Sequence, residues 1–133
     1  RVYLIIVDFR RESSRMESVR FINCEDDETD QIVSFALAYG ETKIRSLTLL
    51  RTPKYEAMLD DAERGVSVSL EDETGDDVDL LTVVRIGANH ITIETQASKY
   101  GLDVSRVDSV EMSEMKALFE RMNFDQKFRI EDV

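Results

Sequence analysis

Residues 31–39 read Gln-Ile-Val-Ser-Phe-Ala-Leu-Ala-Tyr, and their period of two constrains the fold more than any other stretch. Val33, Phe35, Leu37 and Tyr39 point one way, and Ser34, Ala36 and Ala38 the other, as successive side chains of a strand must. Gly40 and Glu41 mark a turn, and Ile44–Arg51 returns as the partner strand, with Leu47 and Leu49 on one side between Arg45 and Arg51. The same alternation recurs in residues 66–71, where Val66, Val68 and Leu70 face inward. Asp79–Ile86 and His90–Glu94 predict a hairpin across Gly87-Ala88-Asn89. Leu81, Val83, Ile91 and Ile93 face inward there, although Val84 and Ile86 leave its face open. Val2–Phe9, apolar on both parities, reads as a strand covered on both faces. Ser18–Asn23 reads as another, with Val19 and Phe21 on one parity.

Two helices are expected. Thr52-Pro53 opens the first, with threonine as N-cap and proline at the first helical position. Tyr55, Met58, Leu59 and Ala62 form its apolar stripe, and Arg64 and Gly65 end it. Ser113 caps the second, whose stripe is Met115, Leu118, Phe119 and Met122, with Asn123 as its stop. Residues 96–101 read as a loop or brief helical turn, residues 106–112 as a possible strand, and Phe124, Phe128 and Ile130 as a tail packed back on the body. The expected architecture is one α+β domain over residues 1–133. Its sheet is mostly antiparallel, strongly twisted or partly closed, with two helices packed on it.

Composition supports a folded chain: 133 residues, 42% hydrophobic and 34% charged, suffice for one core without disulfides. The net charge of −11 falls largely in three clusters. These are Glu25-Asp26-Asp27-Glu28 with Asp30; Asp60-Asp61 with Glu63; and Glu71-Asp72-Glu73 with Asp76, Asp77 and Asp79. Phosphates of nucleic acid and anionic membrane surfaces would repel such a chain, so neither is an expected partner. The first twenty residues differ: Arg1, Arg10, Arg11, Arg15 and Arg20 outweigh Asp8, Glu12 and Glu17. They read as a slightly basic hairpin, with a basic binding arm as the second choice. The apolar run Val2–Val7 is too short to span a bilayer and carries no signal-peptide cleavage pattern. The lone Cys24 forms no internal disulfide and reads as an incidental small residue at a strand end; a cytoplasmic setting is expected. A start at Arg1 instead of methionine reads as a trimmed or excised chain.

Catalytic chemistry finds little purchase. His90 is the only histidine and would share a strand face with Thr92 and Glu94, the ordinary solvent face of a hairpin. One histidine and one cysteine make no structural zinc site. A calcium loop built on Gly75 would put Leu70 at its first ligand position. Glycine-rich phosphate loops and nucleophile elbows are absent from the sequence, as is tryptophan for stacking on sugars. No catalytic, cofactor or metal residue is assigned. The remaining candidates are carboxylates that could contact a basic protein: Glu25, Asp26, Asp27, Glu28, Glu71, Asp72, Glu73, Asp76 and Asp77. Three readings compete with such contact. The acid could simply solubilise the domain; a small enzyme or ligand-binding domain could place a pocket between sheet and helices; or the chain could be an assembly module of a larger protein.

The order of these elements carries a resemblance. Val33-Ser34-Phe35-Ala36-Leu37-Ala38 is followed by Leu47-Thr48-Leu49-Leu50-Arg51 and Gly65-Val66-Ser67-Val68. Leu80-Leu81-Thr82-Val83-Val84 then pairs with His90-Ile91-Thr92-Ile93, and the series closes on Met115-Lys116-Ala117-Leu118-Phe119. This resembles the layout of small immunity proteins of bacterial polymorphic toxin systems, over residues 31–122. The resemblance implies a cytoplasmic antidote that binds and blocks a cognate toxin. It transfers no catalytic residue and leaves the N-terminal strands outside.

Overall fold

The structure is a computed structural model that describes residues 11–12, 16–71, 73 and 78–133. The expected strand Val2–Phe9 lies outside them. The described elements are β1 (Arg11–Glu12), β2 (Glu17–Asp26), β3 (Gln31–Tyr39), β4 (Lys43–Arg51), β5 (Ser67–Leu70), β6 (Leu81–Ile86), β7 (His90–Thr95), β8 (Ser98–Asp103), α1 (Ser109–Met122) and β9 (Arg129–Asp132). The strands form one sheet in the order β5-β4-β3-β2-β8-β7-β6-β9, with β1 also on β8. Pairings β2–β3, β3–β4, β4–β5, β6–β7 and β7–β8 are antiparallel, and β1–β8, β2–β8 and β6–β9 are parallel. The fold is thus α+β around a mixed, antiparallel-dominated sheet.

That sheet is not closed. Its two halves join through the short parallel contact of β2 with β8, Glu17 opposite Leu102 and Ser18 opposite Asp103. They also touch at an isolated bridge between Ser67 and Leu80. There Val68 N–H donates to Asp79 O and Leu81 N–H to Val66 O, both at 2.8 Å.

The β3–β4 hairpin follows its pattern. Val33, Phe35, Leu37, Leu47 and Leu49 are all sealed in the core, and Gly40 turns the chain at φ +68°. β2 departs from its pattern. A bulge between Val19 and Phe21 inserts one residue, so Val19 and Ile22 face inward while Phe21 stands 46% exposed. A second bulge, between Leu81 and Val83, reverses the parity of β6. Leu81, Val84 and Ile86 join the core cluster, while Val83 is buried on the opposite face. Residues 96–101, expected as a loop or helical turn, run instead into strand β8 from Ser98, with Ser98, Tyr100 and Leu102 inward. The sharp corner that starts it is built by side chains. Thr95 Oγ1–H donates to Asp79 Oδ2 at 2.7 Å, the same oxygen atom of Thr95 accepts from Ser98 N–H, and Asp79 Oδ1 accepts from Ala97 N–H.

Among the described residues one α-helix, not two, packs on the sheet. Helix α1 starts four residues before Ser113, because Asp108 Oδ1 accepts from Val110 N–H at 2.7 Å and caps it there; residues 106–112 are therefore no strand. Met115, Leu118, Phe119 and Met122 are fully buried, each worth about 1.5 to 3 kcal/mol of apolar transfer. Glu111 in the first turn accepts from Ile22 N–H, just beyond the β2 bulge, which joins cap, helix and bulge.

The expected first helix is instead two 3₁₀ turns, Pro53–Met58 and Asp61–Glu63. Thr52 makes no capping hydrogen bond, and the expected stripe faces water, with Met58 82% exposed. The cause is the residue before the segment. Arg51 is buried at the end of β4 and draws Glu56 inward, and an unpaired buried guanidinium would cost more than leaving three apolar side chains wet.

Candidate functional site

The first acidic cluster is a strand end and a tight turn. The β2–β3 register runs to Asp26 opposite Gln31, so Glu25 and Asp26 ride on β2. Asp27 then closes the turn: its N–H donates to Asp30 O, and its Oδ1 accepts from Thr29 N–H and Asp30 N–H, both at 2.8 Å. These backbone donors, Asp30 first, hold the Asp27 carboxyl below the usual carboxylate range. Asp26 pairs with Arg121 of α1 at 2.7 Å. Glu25 and Glu28 are exposed and make no hydrogen bond or ion pair with another described residue. The turn therefore divides its acid: Asp26 and Asp27 build the mount, and Glu25 and Glu28 are presented on it.

The third cluster is dispersed in role. Glu71 extends the β5 ladder, its N–H donating to Ser46 O and its Oε1 accepting from Ser46 N–H, both at 2.9 Å. Glu73 N–H returns to Leu70 O. Asp79 is the staple of the β7–β8 corner and no display group. Asp72, Asp76 and Asp77 lie outside the described residues. The structure does not bring the two candidate clusters together. Glu25 lies on β2 and Glu71 just after β5, three strand spacings apart and offset along the strands, roughly 20 Å. That exceeds the screening length of about 8 Å at physiological salt, so each acts alone.

The strongest charge constellation was invisible as such in the sequence. Arg51 commits all five guanidinium N–H groups. Nε and Nη2 donate to the two oxygens of Glu56 at 2.7 and 2.9 Å. Nη1 and Nη2 donate to those of Asp125 at 2.9 and 2.7 Å. The remaining Nη1–H donates to Met122 O at 2.7 Å, and the group lies 4.1 Å from the centre of the Phe124 ring. Burial opposes the charge, but the bonds to Asp125 and Glu56 outweigh it and raise the Arg51 pKa. Bonding to Arg51 holds Asp125 below the usual carboxylate range. No donor is left over for a ligand, so this cluster joins β4, the 3₁₀ segment and the end of α1 as structure. The parity of β4 was the available signal, since it puts Arg51 on the same face as Leu47 and Leu49.

Groups capable of acid–base or nucleophilic chemistry are scattered among the described residues. His90 is exposed, and Glu94 on the same strand is paired with Arg85. Asp103, opposite His90 in register, accepts from Ser105 N–H. Burial, then the charge of Glu114, pushes the Cys24 thiol up to about 11, away from a reactive thiolate. Among the described residues no three His, Cys, Asp or Glu side chains gather to hold a metal ion. A half-open cleft of about 290 Å³ lies where β5 and β6 meet, lined by Asp61, Arg64, Leu80, Thr82, Gln96 and Lys127 among others. Among the described residues, its lining has no histidine, cysteine or serine.

No protein-family model matches the chain, and no curated protein or solved structure matches it either. Among the described residues no helix is long and apolar enough to cross a membrane.

Proposed function

We propose that this chain is a non-enzymatic binding protein of immunity type, which docks on and blocks a basic protein partner such as a toxin in the cytoplasm. The observation that carries this reading is the division of labour at the β2–β3 turn. Two carboxylates are spent on fixing the turn, and Glu25 and Glu28 stand free on it. Pre-oriented exposed carboxylates steer association with lysine and arginine patches, and they lose little conformational freedom on contact. The enzymatic alternative rests on the cleft beside Arg64 and Lys127, whose carboxylate Asp61 is paired with Lys127 at 3.8 Å.

The test is co-expression of this chain with the product of the gene immediately upstream of its own. The reading expects that product to be basic and toxic, to be silenced by this chain, and to associate several-fold more slowly with the Glu25→Gln/Glu28→Gln variant at low salt. A neighbour that is harmless and unbound would overturn it.

A further inference from the structure

The outward face of β2–β5 is a second surface, distinct from the acidic turn and continuous with it. Register defines it row by row. One row is Phe21, Ala36 and Ser46, which Glu71 extends beyond Ser46; beside it Ala38 pairs with Ile44. The middle row is Asn23, Ser34, Thr48 and Ser69, polar and uncharged. The far row is Glu25, Ile32, Leu50 and Ser67. Phe21 and Ile44 are 46% and 49% exposed, whereas Ala36 between them is buried, at 3%. Apart from Arg20 in the bulge, these register positions carry no lysine or arginine. Carboxylates occupy two diagonal corners, Glu25 and Glu71.

We propose that this face is the docking surface for the partner. The occupant is a basic protein surface with an apolar patch to one side of two cationic side chains roughly 20 Å apart, the span of the two corners. The inference rests on the binding reading above and names the surface that it uses. Charge decides the occupant. A second copy of this chain would set Glu25 and Glu71 against the like charges of the same face, whereas cations meet both corners favourably. Phe21 and Ile44 supply exposed apolar area at one end of the face, where a partner's apolar side chains can pack beside the cations that meet the two corners.

The probe is an extended peptide alternating lysine and leucine, with its glutamate–leucine counterpart as control, titrated at low salt while backbone amide NMR shifts are followed. The lysine peptide should shift residues 21, 34–36 and 44–48, and the glutamate peptide should not. Phe21→Ser/Ile44→Ser should weaken binding at least about tenfold. Ser34→Arg, which keeps the apolar groups and adds a central cation, should weaken it as well. Both variants replace groups outside the core, and melting curves confirm that they fold. Shifts confined to residues 25–30 would overturn the docking face and leave the acidic-binding reading standing. Equal binding of the glutamate peptide would overturn the charge argument for the occupant. No shift anywhere with the lysine peptide would overturn both readings.

Discussion

Two groups of carboxylates in this protein carry the same formal charge and do opposite work. Glu56 and Asp125 surround a guanidinium whose side chain is fully buried, and every donor of that guanidinium is used. Glu25 and Glu28 sit at the tip of β2 in water, on a turn whose own geometry is fixed by Asp27. The first group is satisfied internally and therefore unavailable. The second is ordered at its base and unsatisfied at its tip. Sequence charge alone does not separate them. What separates them is whether a cation has been taken out of water beside them, because a buried ion demands partners and an exposed one does not.

The contrast can be broken most severely at Arg51. Arg51→Met keeps much of the volume but leaves Glu56 buried without its partner, so the loss should be about 3 to 5 kcal/mol, read from urea unfolding. A loss below about 1 kcal/mol would make the cluster decorative. Asp125→Asn should cost less, about 1 to 2 kcal/mol, because a third of that side chain is exposed and partly screened. The same variant sharpens the pH dependence. The folded-state pKa of Asp125 lies below its ordinary 3.8, so its contribution is complete above that value and disappears as pH falls through the folded one. Acid unfolding of Asp125→Asn should therefore be shallower than wild type below about pH 4. Asp27→Ala should lower the melting temperature by less than Asp125→Asn, since two backbone N–H groups lose an acceptor but water can replace it.

Much of the sheet was legible because alternation is a strong signal where one face is buried: β3, β4, β5 and the Ile91–Ile93 face of β7 follow it. The failures have identifiable causes. Bulges at β2 and β6 each insert a residue and reverse parity, and nothing in the side chains of Arg20 or Thr82 announces that. Strand β8 contains Gly101 and a lysine, and its register depends on the Thr95–Asp79 staple sixteen positions apart in sequence. The segment after Arg51 has every local helix signal, from Pro53 to the spacing of Tyr55, Met58 and Leu59. It lost to a tertiary demand, because Arg51 needed Glu56. The start of α1 was misread because Ser113 is as good a cap by type as Asp108, and only the fold shows which carries the bond. For the site, the acid was visible, but the roles within it were not. Asp26, Glu71 and Asp79 are engaged with neighbours that only the folded register brings close, and Asp27 with the backbone two and three residues on.

The central claim is that the tip of the β2–β3 turn serves recognition and not folding. It is tested most directly by measuring one variant, Glu25→Gln/Glu28→Gln, for both stability and association with an oligolysine chain. The account predicts an unchanged unfolding midpoint together with an association rate several-fold lower at low salt, a difference that vanishes at high salt. Neutralising the exposed Glu41, at the opposite end of the β3–β4 hairpin, should leave the rate much closer to wild type. Equal slowing by Glu41→Gln, or a large loss of stability in the double variant, would contradict the account.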